Sequence, residues 1–240
     1  MQQETAKSYR YLLFDIDNTL MDFTAGERAA LYQTMEEEGF LLSERDYRRY
    51  LEINRSAWTK FEKGILDSNA VQRVRFEEFA AYLGRNPAEG PALNDRYVAN
   101  LGQQAIVMDG AREMLERLKK RYGIAVVTNG LHLVQRARLE RSGFLPYFDG
   151  IFVSQEMGVQ KPDKAYFDYV FDALGEQDRT KYLMIGDSLS ADVQGGINAG
   201  IDTCWLRPAG AAPSETIRPT YVVRGYDELL RLLGEEDADR

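Results

Sequence analysis

The sequence predicts an α/β fold in which a doubly wound parallel sheet is interrupted by an inserted all-helical segment. The first observation is that short apolar runs alternate with amphipathic helical patterns, and that these runs are apolar nearly throughout, as strands covered on both faces are. The second is a stretch between residues 24 and 106 that has helical periodicity and no strand pattern. The predicted strands cover residues 9–15, 124–128, 150–153, 182–186, 203–206 and 221–223.

Helical patterns follow most of these strands and fill the inserted segment. Within the insertion, Ser43 together with Asp46 predicts the start of a helix, because this pair forms a capping box. We therefore divide the chain into a core of residues 1–22 and 107–240 and an insertion of residues 23–106. The predicted core helices cover 111–122, 131–142, 164–174, 190–199 and 226–233, and the predicted inserted helices cover 25–38, 43–63, 69–83 and 93–104.

Composition excludes several kinds of partner and site. The 240 residues carry a net charge of −8, from 30 Lys and Arg against 38 Asp and Glu, which disfavours binding to nucleic-acid polymers or anionic membranes. Cys204 is the single cysteine and His132 the single histidine, so disulfides within the chain, Cys-rich zinc sites and multi-His metal centres are excluded. Because no apolar run is long enough to cross a membrane, we expect a soluble cytoplasmic protein.

Polar residues collect where the predicted strands end, which is where ligands bind in open α/β sheets. Asp15 and Asp17 leave the first strand two residues apart, and their mutual repulsion requires a cation. A third carboxylate, Asp187, would complete an oxygen ligand set suited to Mg²⁺. The strand ends and the loops after them contain Asp15-Ile16-Asp17-Asn18-Thr19, Thr128-Asn129-Gly130, Lys161-Pro162 and Gly186-Asp187-Ser188-Leu189-Ser190-Ala191-Asp192.

Together these residues form a set suited to phosphoryl transfer. The set contains a carboxylate nucleophile, a neighbouring acid/base carboxylate, a hydroxyl donor, a lysine and a site for Mg²⁺. The four motifs, in this order, resemble those of the haloacid dehalogenase-like (HAD) superfamily, and the resemblance spans most of the chain. It implies a Rossmann-like catalytic core at residues 1–22 and 107–240, and a mobile helical cap at residues 23–106 that selects the substrate.

The resemblance also implies a role for each motif residue. Asp15 would attack phosphorus to give an aspartyl-phosphate, and Asp17 would protonate the leaving alcohol and then deprotonate the hydrolytic water. Thr128, Asn129 and Lys161 would bind and neutralise the transferring phosphoryl group.

The implied metal site lies among the same motifs. Mg²⁺ would be held by Asp15, the backbone carbonyl of Asp17, and Asp187. A phosphate dianion that approached these carboxylates without Mg²⁺ and Lys161 would be repelled, so the charge count itself predicts a requirement for a cation. Supporting roles are implied for Thr19, Ser188 and Asp192, the last of which would orient the lysine or support the metal shell.

Part of the insertion resembles the house-cleaning pyrimidine 5′-nucleotidases, which dephosphorylate nucleoside 5′-monophosphates. The resemblance rests on residues 54–64 and 73–76. An aromatic shelf with an amide and a basic side chain can stack on a base and hydrogen-bond to it. The substrate candidates are Asn54, Trp58, Phe61 and Arg75. The alternative is that the aromatic residues form the core of the cap itself.

The preferred interpretation is a Mg²⁺-dependent phosphatase of 5′-nucleotidase type that acts on a small-molecule phosphate monoester. A sugar-phosphate phosphatase, a phosphomutase and a non-catalytic binding module stay open as alternatives. A 2-haloacid dehalogenase is disfavoured because it would need neither Asp17 nor Asp187. The physiological substrate, the role of His132, the open or closed state of the cap, and the choice between monomer and homodimer are left open.

Overall fold

A computed structural model of the chain describes residues 8–235, so the ends of the predicted core, residues 1–7 and 236–240, lie outside the described residues. Its strands are β1 (Tyr11–Phe14), β2 (Gly123–Thr128), β3 (Gly150–Val153), β4 (Tyr182–Gly186), β5 (Asp202–Leu206) and β6 (Tyr221–Val223). They form one parallel sheet in the order β3-β2-β1-β4-β5-β6. Phe14 of β1 pairs with Val126 on one side and Ile185 on the other, so the carboxyl ends of β1, β2 and β4 lie side by side.

Helices connect the strands and fill the insertion. They are α1 (Phe23–Glu37), α2 (Glu44–Glu62), α3 (Ser68–Tyr82), α4 (Gly90–Gln103), α5 (Ala111–Leu118), α6 (His132–Arg141), α7 (Ser154–Met157), α8 (Lys164–Leu174), α9 (Gln194–Ala199) and α10 (Tyr226–Leu232). The predicted α/β fold class, a Rossmann-like parallel sheet with an inserted run of helices, is confirmed. Across residues 8–235, no helix combines the length and the apolar character that a membrane crossing requires.

The helix predicted over residues 190–199 differs from the structure in its first half. There the chain forms a π-helical turn, Leu189–Val193, before α9 begins. The backbone N–H of Val193 donates to the carbonyl oxygen of Ser188, five residues back, at 3.1 Å. Turns of this kind inside helices are frequent at functional sites, and this one includes Asp192, the last residue of the motif that contains Asp187.

The sheet is buried because its strands are apolar on both faces. Side chains alternate between the two faces along a strand, so Leu13 and Val127 point to one face and Leu12 and Val126 to the other. All four are fully buried. On the first face, a cluster forms with residues of α8 and α9, namely Tyr166, Phe167, Val170, Phe171 and Ala199. Burial of each large apolar side chain contributes about 1.5–3 kcal/mol to stability, so the sheet is a rigid support for the loops at its edge.

The chain divides into two compact units by its internal contacts. The core unit comprises the residues up to Asp22, Val107–Gly130, and the residues from Gly143 onwards. The helical unit comprises Phe23–Ile106 and Leu131–Ser142. The assignment of catalysis to the first unit and of substrate choice to the second stays a prediction.

Helix α6 belongs to the helical unit in the structure. The sequence predicts residues 131–142 as part of the core. Leu131 and Val134 join the apolar cluster of the helical unit. The buried guanidinium of Arg138 donates from Nε to the carbonyl oxygen of Gln104, just after α4, at 3.1 Å. A strand-and-helix alternation in sequence does not reveal this grouping, because it depends on contacts with α4.

Within the helical unit, the predicted capping box at the start of α2 is present. The Ser43 hydroxyl oxygen accepts from the Asp46 N–H at 3.3 Å, and the Asp46 carboxylate accepts from the Ser43 N–H at 2.9 Å. A cap of this kind contributes about 1 kcal/mol. The interior of the unit is rich in aromatic side chains that contact each other, including Tyr50, Phe76, Phe79 and Tyr97.

Candidate active site

The chain turns back on itself directly after β1. Asn18 adopts a left-handed backbone conformation with φ of 55°, which asparagine tolerates better than most residues. The backbone N–H of Met21 then donates to the carbonyl oxygen of Ile16 at 3.0 Å. This tight loop keeps both Asp15 and Asp17 at the carboxyl edge of the sheet.

Thr19 is buried in the same loop. Its carbonyl oxygen accepts a hydrogen bond from Tyr226 Oη at 2.6 Å, which ties the loop to the start of α10. Its hydroxyl oxygen is fully buried and has no hydrogen-bond partner among the described residues. Thr19 therefore lies at the centre of the turn that holds the two aspartates, where the sequence predicts a supporting residue.

Lys161 is the positively charged residue at the centre of the site. Its side chain is 1% exposed. Its Nζ donates to Asp15 Oδ1 at 2.8 Å, to Asp192 Oδ1 at 2.6 Å and to the Val127 carbonyl oxygen at 2.7 Å, so all three N–H donors of the ammonium have acceptors. Burial alone would lower the pKa of Lys161, but the carboxylates of Asp15 and Asp192 more than reverse this, and the pKa lies above its ordinary value. The side chain therefore stays charged.

Asn129 supports the backbone around this lysine. Its Nδ2 donates to the Lys161 carbonyl oxygen at 2.8 Å, and the Lys161 N–H donates to Asn129 Oδ1 at 2.9 Å. This pair of hydrogen bonds fixes the Asn129 side chain against the Lys161 backbone, and the role of Asn129 towards a phosphoryl group stays a prediction. The neighbouring Thr128 is buried, and its hydroxyl oxygen accepts from the Gly130 N–H at 3.1 Å, which fixes its position at the end of β2.

Strand β4 ends at Gly186, directly before Asp187, and the π-helical turn then brings Asp192 back towards the strand. Asp192 Oδ1 accepts from Lys161, and its Oδ2 accepts from the Ser188 N–H at 3.0 Å. The close approach requires glycine at position 186, because a Cβ on Gly186 would lie 2.1 Å from Asp192 Oδ2. The hydroxyl oxygen of Ser188 accepts from a backbone N–H of the turn and caps it. Asp192 is thus placed to orient the lysine.

Three carboxylates meet at this edge of the sheet. One oxygen each from Asp15, Asp187 and Asp192 lie within 4.8 Å of one another. The carboxylate of Asp17 is not in this group, and the ligand role of the Asp17 backbone carbonyl stays a prediction. Because the oxygens of Asp192 already accept from Lys161 and a backbone N–H, Asp15 and Asp187 are the carboxylates that could hold a metal. Oxygen donors of this kind suit Mg²⁺.

The electrostatics of the group favour a bound cation. Burial, and then repulsion from Asp15 and Asp192, raises the pKa of Asp187 to about 8. Burial also raises the pKa of Asp15 to about 7; Lys161 opposes this shift, and Asp192 and Asp17 add to it. A divalent cation favours the charged forms of such carboxylates. The residues present therefore fit the cation that the sequence predicts.

Comparison with known proteins assigns the chain to a family. The chain matches the haloacid dehalogenase-like hydrolase family over residues 9–200. It is a haloacid dehalogenase-like hydrolase. It is similar to pyrimidine 5′-nucleotidase PynA of Streptococcus pneumoniae (strain ATCC BAA-255 / R6), with 38% identity over 94% of this chain and 95% of the relative. It is also similar to pyrimidine 5′-nucleotidase YjjG of Escherichia coli (strain K12), with 34% identity over 93% of this chain and 97% of the relative.

A solved structure extends the comparison to the whole fold of this haloacid dehalogenase-like hydrolase. The crystal structure of the HAD-hydrolase YfnB from Bacillus subtilis, bound to magnesium, matches it with a TM-score of 0.89 and 38% identity. The match covers 95% of this chain and 99% of that chain. The family assignment therefore rests on both sequence and structure.

The candidate substrate residues of this hydrolase lie in the helical unit. Asn54 donates to Glu27 Oε1 at 2.6 Å, and Arg75, which is 2% exposed, donates to Asn54 Oδ1 at 3.2 Å. Phe61 is buried, and Trp58 is half-buried with its ring edge-on to Phe61 at a centroid distance of 5.3 Å. The burial of Asn54, Arg75 and Phe61 favours packing roles, whereas Trp58 keeps part of its surface exposed. Their roles towards substrate stay predictions.

Two residues outside the predicted set donate hydrogen bonds to the backbone of site residues. Trp205 Nε1 donates to the Asp187 carbonyl oxygen at 2.7 Å, and Tyr226 Oη donates to the Thr19 carbonyl oxygen. The sequence carries a signal for Trp205, because a buried indole N–H near the end of an apolar strand needs an acceptor. No local pattern connects Tyr226 with the loop after β1, since the two are more than two hundred residues apart.

Asp187→Asn should stabilise the protein in the absence of a divalent cation. The folded-state pKa of Asp187 is raised to about 8 from an ordinary value of 3.8. Its ionisation therefore opposes folding increasingly as the pH rises between these values. In EDTA at pH 8 we expect the variant to gain about 1 kcal/mol in the free energy of unfolding, and at about pH 4 the gain should vanish. Urea unfolding at both pH values measures the difference, and a loss of stability at pH 8 would contradict the electrostatic account.

Proposed function

We propose that this chain is a Mg²⁺-dependent phosphomonoester hydrolase that acts on pyrimidine nucleoside 5′-monophosphates through an aspartyl-phosphate intermediate. The observation that carries the proposal is the placement of Asp15. Its carboxylate is bonded to a buried lysine and lies beside Asp187, and a second carboxylate, Asp17, follows in the same tight loop. This arrangement supports the assignment of a nucleophile, an acid/base group and a cation site to one edge of the sheet.

The proposed chemistry begins with Asp15. Lys161 holds Oδ1 of this carboxylate and so fixes the direction of Oδ2, which attacks phosphorus while the bond to the ester oxygen breaks. Asp17 gives its proton to the departing alcohol, then removes a proton from the water that attacks the aspartyl-phosphate. Phosphate leaves, and both aspartates return to their starting states. Thr128 and the backbone N–H of Asn129 bind the phosphoryl oxygens.

Lys161 contributes charge rather than a new hydrogen bond in this arrangement. All three of its donors are engaged with Asp15, Asp192 and Val127. Its positive charge lowers the repulsion that a phosphate dianion meets at the carboxylates. Asp15, the carbonyl of Asp17, and Asp187 would hold Mg²⁺, which when bound neutralises charge on the phosphoryl group.

Two of the alternatives fit the site less well. A 2-haloacid dehalogenase would use Asp15 on carbon and would leave Asp17 and Asp187 without a purpose. A non-catalytic binding module would gain nothing from a nucleophile held beside an acid/base group. A phosphomutase or a sugar-phosphate phosphatase would use the same core residues, so the substrate experiment below decides between these and a nucleotidase.

The similarity of the chain to two pyrimidine 5′-nucleotidases, at 34% and 38% identity, supports a preference for pyrimidine nucleotides. In this chain we propose that Trp58 contacts the nucleoside, because it is a large aromatic side chain of the helical unit with part of its surface exposed. We also propose that the enzyme works in the cytoplasm.

The metal requirement gives the first test of the function. With Mg²⁺, the purified protein should hydrolyse an aryl phosphate, and excess EDTA should reduce the rate to background because the carboxylate cluster then repels the substrate. Renewed Mg²⁺ should restore the rate. Hydrolysis that persists in EDTA would contradict the proposal.

Substrate class is tested by comparing kcat/KM across pyrimidine and purine nucleoside 5′-monophosphates and hexose phosphates. We expect the pyrimidine nucleotides to have the highest values. Trp58→Ala should lower the ratio of kcat/KM for the nucleotide to that for an aryl phosphate by about tenfold, because stacking on the base is lost. A higher kcat/KM for hexose phosphates, or transfer of the phosphoryl group to a second sugar, would overturn the nucleotidase assignment.

A further inference from the structure

The peptide bond between Asp187 and Ser188 is held at both of its polar atoms. Its carbonyl oxygen accepts from Trp205 Nε1 at 2.7 Å, and its N–H donates to Asp192 Oδ2 at 3.0 Å. Two hydrogen bonds at opposite ends of one peptide plane prevent the plane from rotating. They therefore fix the backbone of Asp187 and the direction in which its carboxylate leaves the chain.

The donor on the carbonyl side is rigid. Trp205 is 3% exposed and belongs to β5, where it pairs in register with Gly186, the residue before Asp187. Its N–H belongs to a planar ring enclosed in the core unit, and an indole N–H only donates and does not titrate near neutral pH. The bond to the Asp187 carbonyl oxygen is therefore maintained across the pH range in which an enzyme works.

Asp187 needs this restraint because its surroundings repel it. Its carboxylate oxygen lies within 4.8 Å of oxygens of Asp15 and Asp192. The one lysine of the cluster, Lys161, directs its three donors to Asp15, Asp192 and the Val127 carbonyl oxygen. Repulsion between like charges favours movement of Asp187 away from the group unless its backbone is fixed.

We propose that Trp205 is a positioning residue for the metal site. Its indole N–H holds the peptide between Asp187 and Ser188, keeps the Asp187 carboxylate beside that of Asp15, and so increases the affinity of the site for Mg²⁺. The proposal rests on the proposed Mg²⁺ site and extends it to a residue of β5 that lies outside the four motifs.

Calorimetric titration of the metal-free protein with Mg²⁺ tests this role without any turnover. Trp205→Phe keeps an aromatic ring and removes the N–H, and we expect it to weaken Mg²⁺ binding about five- to tenfold. The matched control is Tyr182→Phe at the other end of β4, which removes the hydrogen bond from Tyr182 Oη to the Glu176 carbonyl oxygen, 2.8 Å long. That variant should bind Mg²⁺ as the wild type does.

A second measurement leaves Trp205 in place, and so decides the question if Trp205→Phe does not fold. The chain has two tryptophans, Trp58 and Trp205, so Trp58→Phe leaves Trp205 as the only indole fluorophore. Its emission should change on addition of Mg²⁺, with the same half-saturation as in calorimetry.

These experiments distinguish a failure of the Trp205 role from a failure of the proposed function. An unresponsive Trp205 emission, or a Trp205→Phe variant that binds Mg²⁺ as tightly as the wild type, would overturn the positioning role while the Mg²⁺ site stands. A wild-type protein that binds no Mg²⁺ would overturn the proposed function together with this inference.

Discussion

Asp15→Asn lowers the rate of phosphomonoester hydrolysis by about 10⁴-fold or more, because the amide cannot attack phosphorus and no other group can replace the nucleophile. The variant stays folded. An Asn side chain has nearly the same shape as Asp, and Lys161 keeps its bonds to Asp192 and the Val127 carbonyl oxygen. Steady-state kinetics with an aryl phosphate and saturating Mg²⁺ measures the rate of hydrolysis, and a thermal melt shows whether the variant is folded.

The matched control for Asp15→Asn is a carboxylate with no part in the mechanism. Asp168 pairs with Lys164 on the exposed surface of α8, and Asp168→Asn should leave the rate close to that of the wild type. Residual hydrolysis in Asp15→Asn above about one hundredth of the wild-type rate would show that another group, or water directly, attacks phosphorus.

Lys161→Met causes the largest loss of stability that we expect from a single change in the site. Lys161 is almost fully buried and bonds to two carboxylates and a carbonyl oxygen. Without it, Asp15 and Asp192 lie buried beside each other with no compensating charge, a situation that costs about 3–5 kcal/mol. We also expect hydrolysis to fall by about 10²–10³-fold, since charge stabilisation at the phosphoryl group is lost.

Urea unfolding in EDTA measures the effect of Lys161→Met on the free energy of unfolding. Adding Asp192→Asn to the same chain should recover part of the loss, because it removes one of the unpaired carboxylates. Lys164→Met serves as the control, since Lys164 makes an exposed ion pair with Asp168, and exposed pairs contribute little. A loss for Lys161→Met no larger than for Lys164→Met would contradict the account of a buried, satisfied ammonium.

The parts of this site that the sequence predicts are those that lie at the ends of predicted strands. Asp15, Thr128 and Asp187 follow apolar runs, and parallel strands bring such positions to one edge of a sheet. The sequence also predicts Lys161 as a site residue, because its motif lies in a loop between two predicted strands. The fold class and most element boundaries follow from the same periodicity.

The remaining features depend on contacts between residues that are distant in the chain. The pairing of Asn129 with the Lys161 backbone, and the bond from Trp205 to Asp187, appear only when the strands are assembled. The grouping of α6 with the inserted helices depends on Arg138 and its partner near α4. Local patterns carry no information on such contacts, so the sequence interpretation places α6 in the core.

The most direct test of the central claim is to trap the phosphorylated enzyme. Asp17→Asn should form the aspartyl-phosphate from an aryl phosphate, whose leaving group needs no proton, and should hydrolyse it slowly because the base for water is missing. Acid quenching of this variant with ³²P-labelled aryl phosphate, followed by peptide mass spectrometry, should place the label on Asp15. Release of phosphate with no labelled protein at any time, or a label on another residue, would contradict the account.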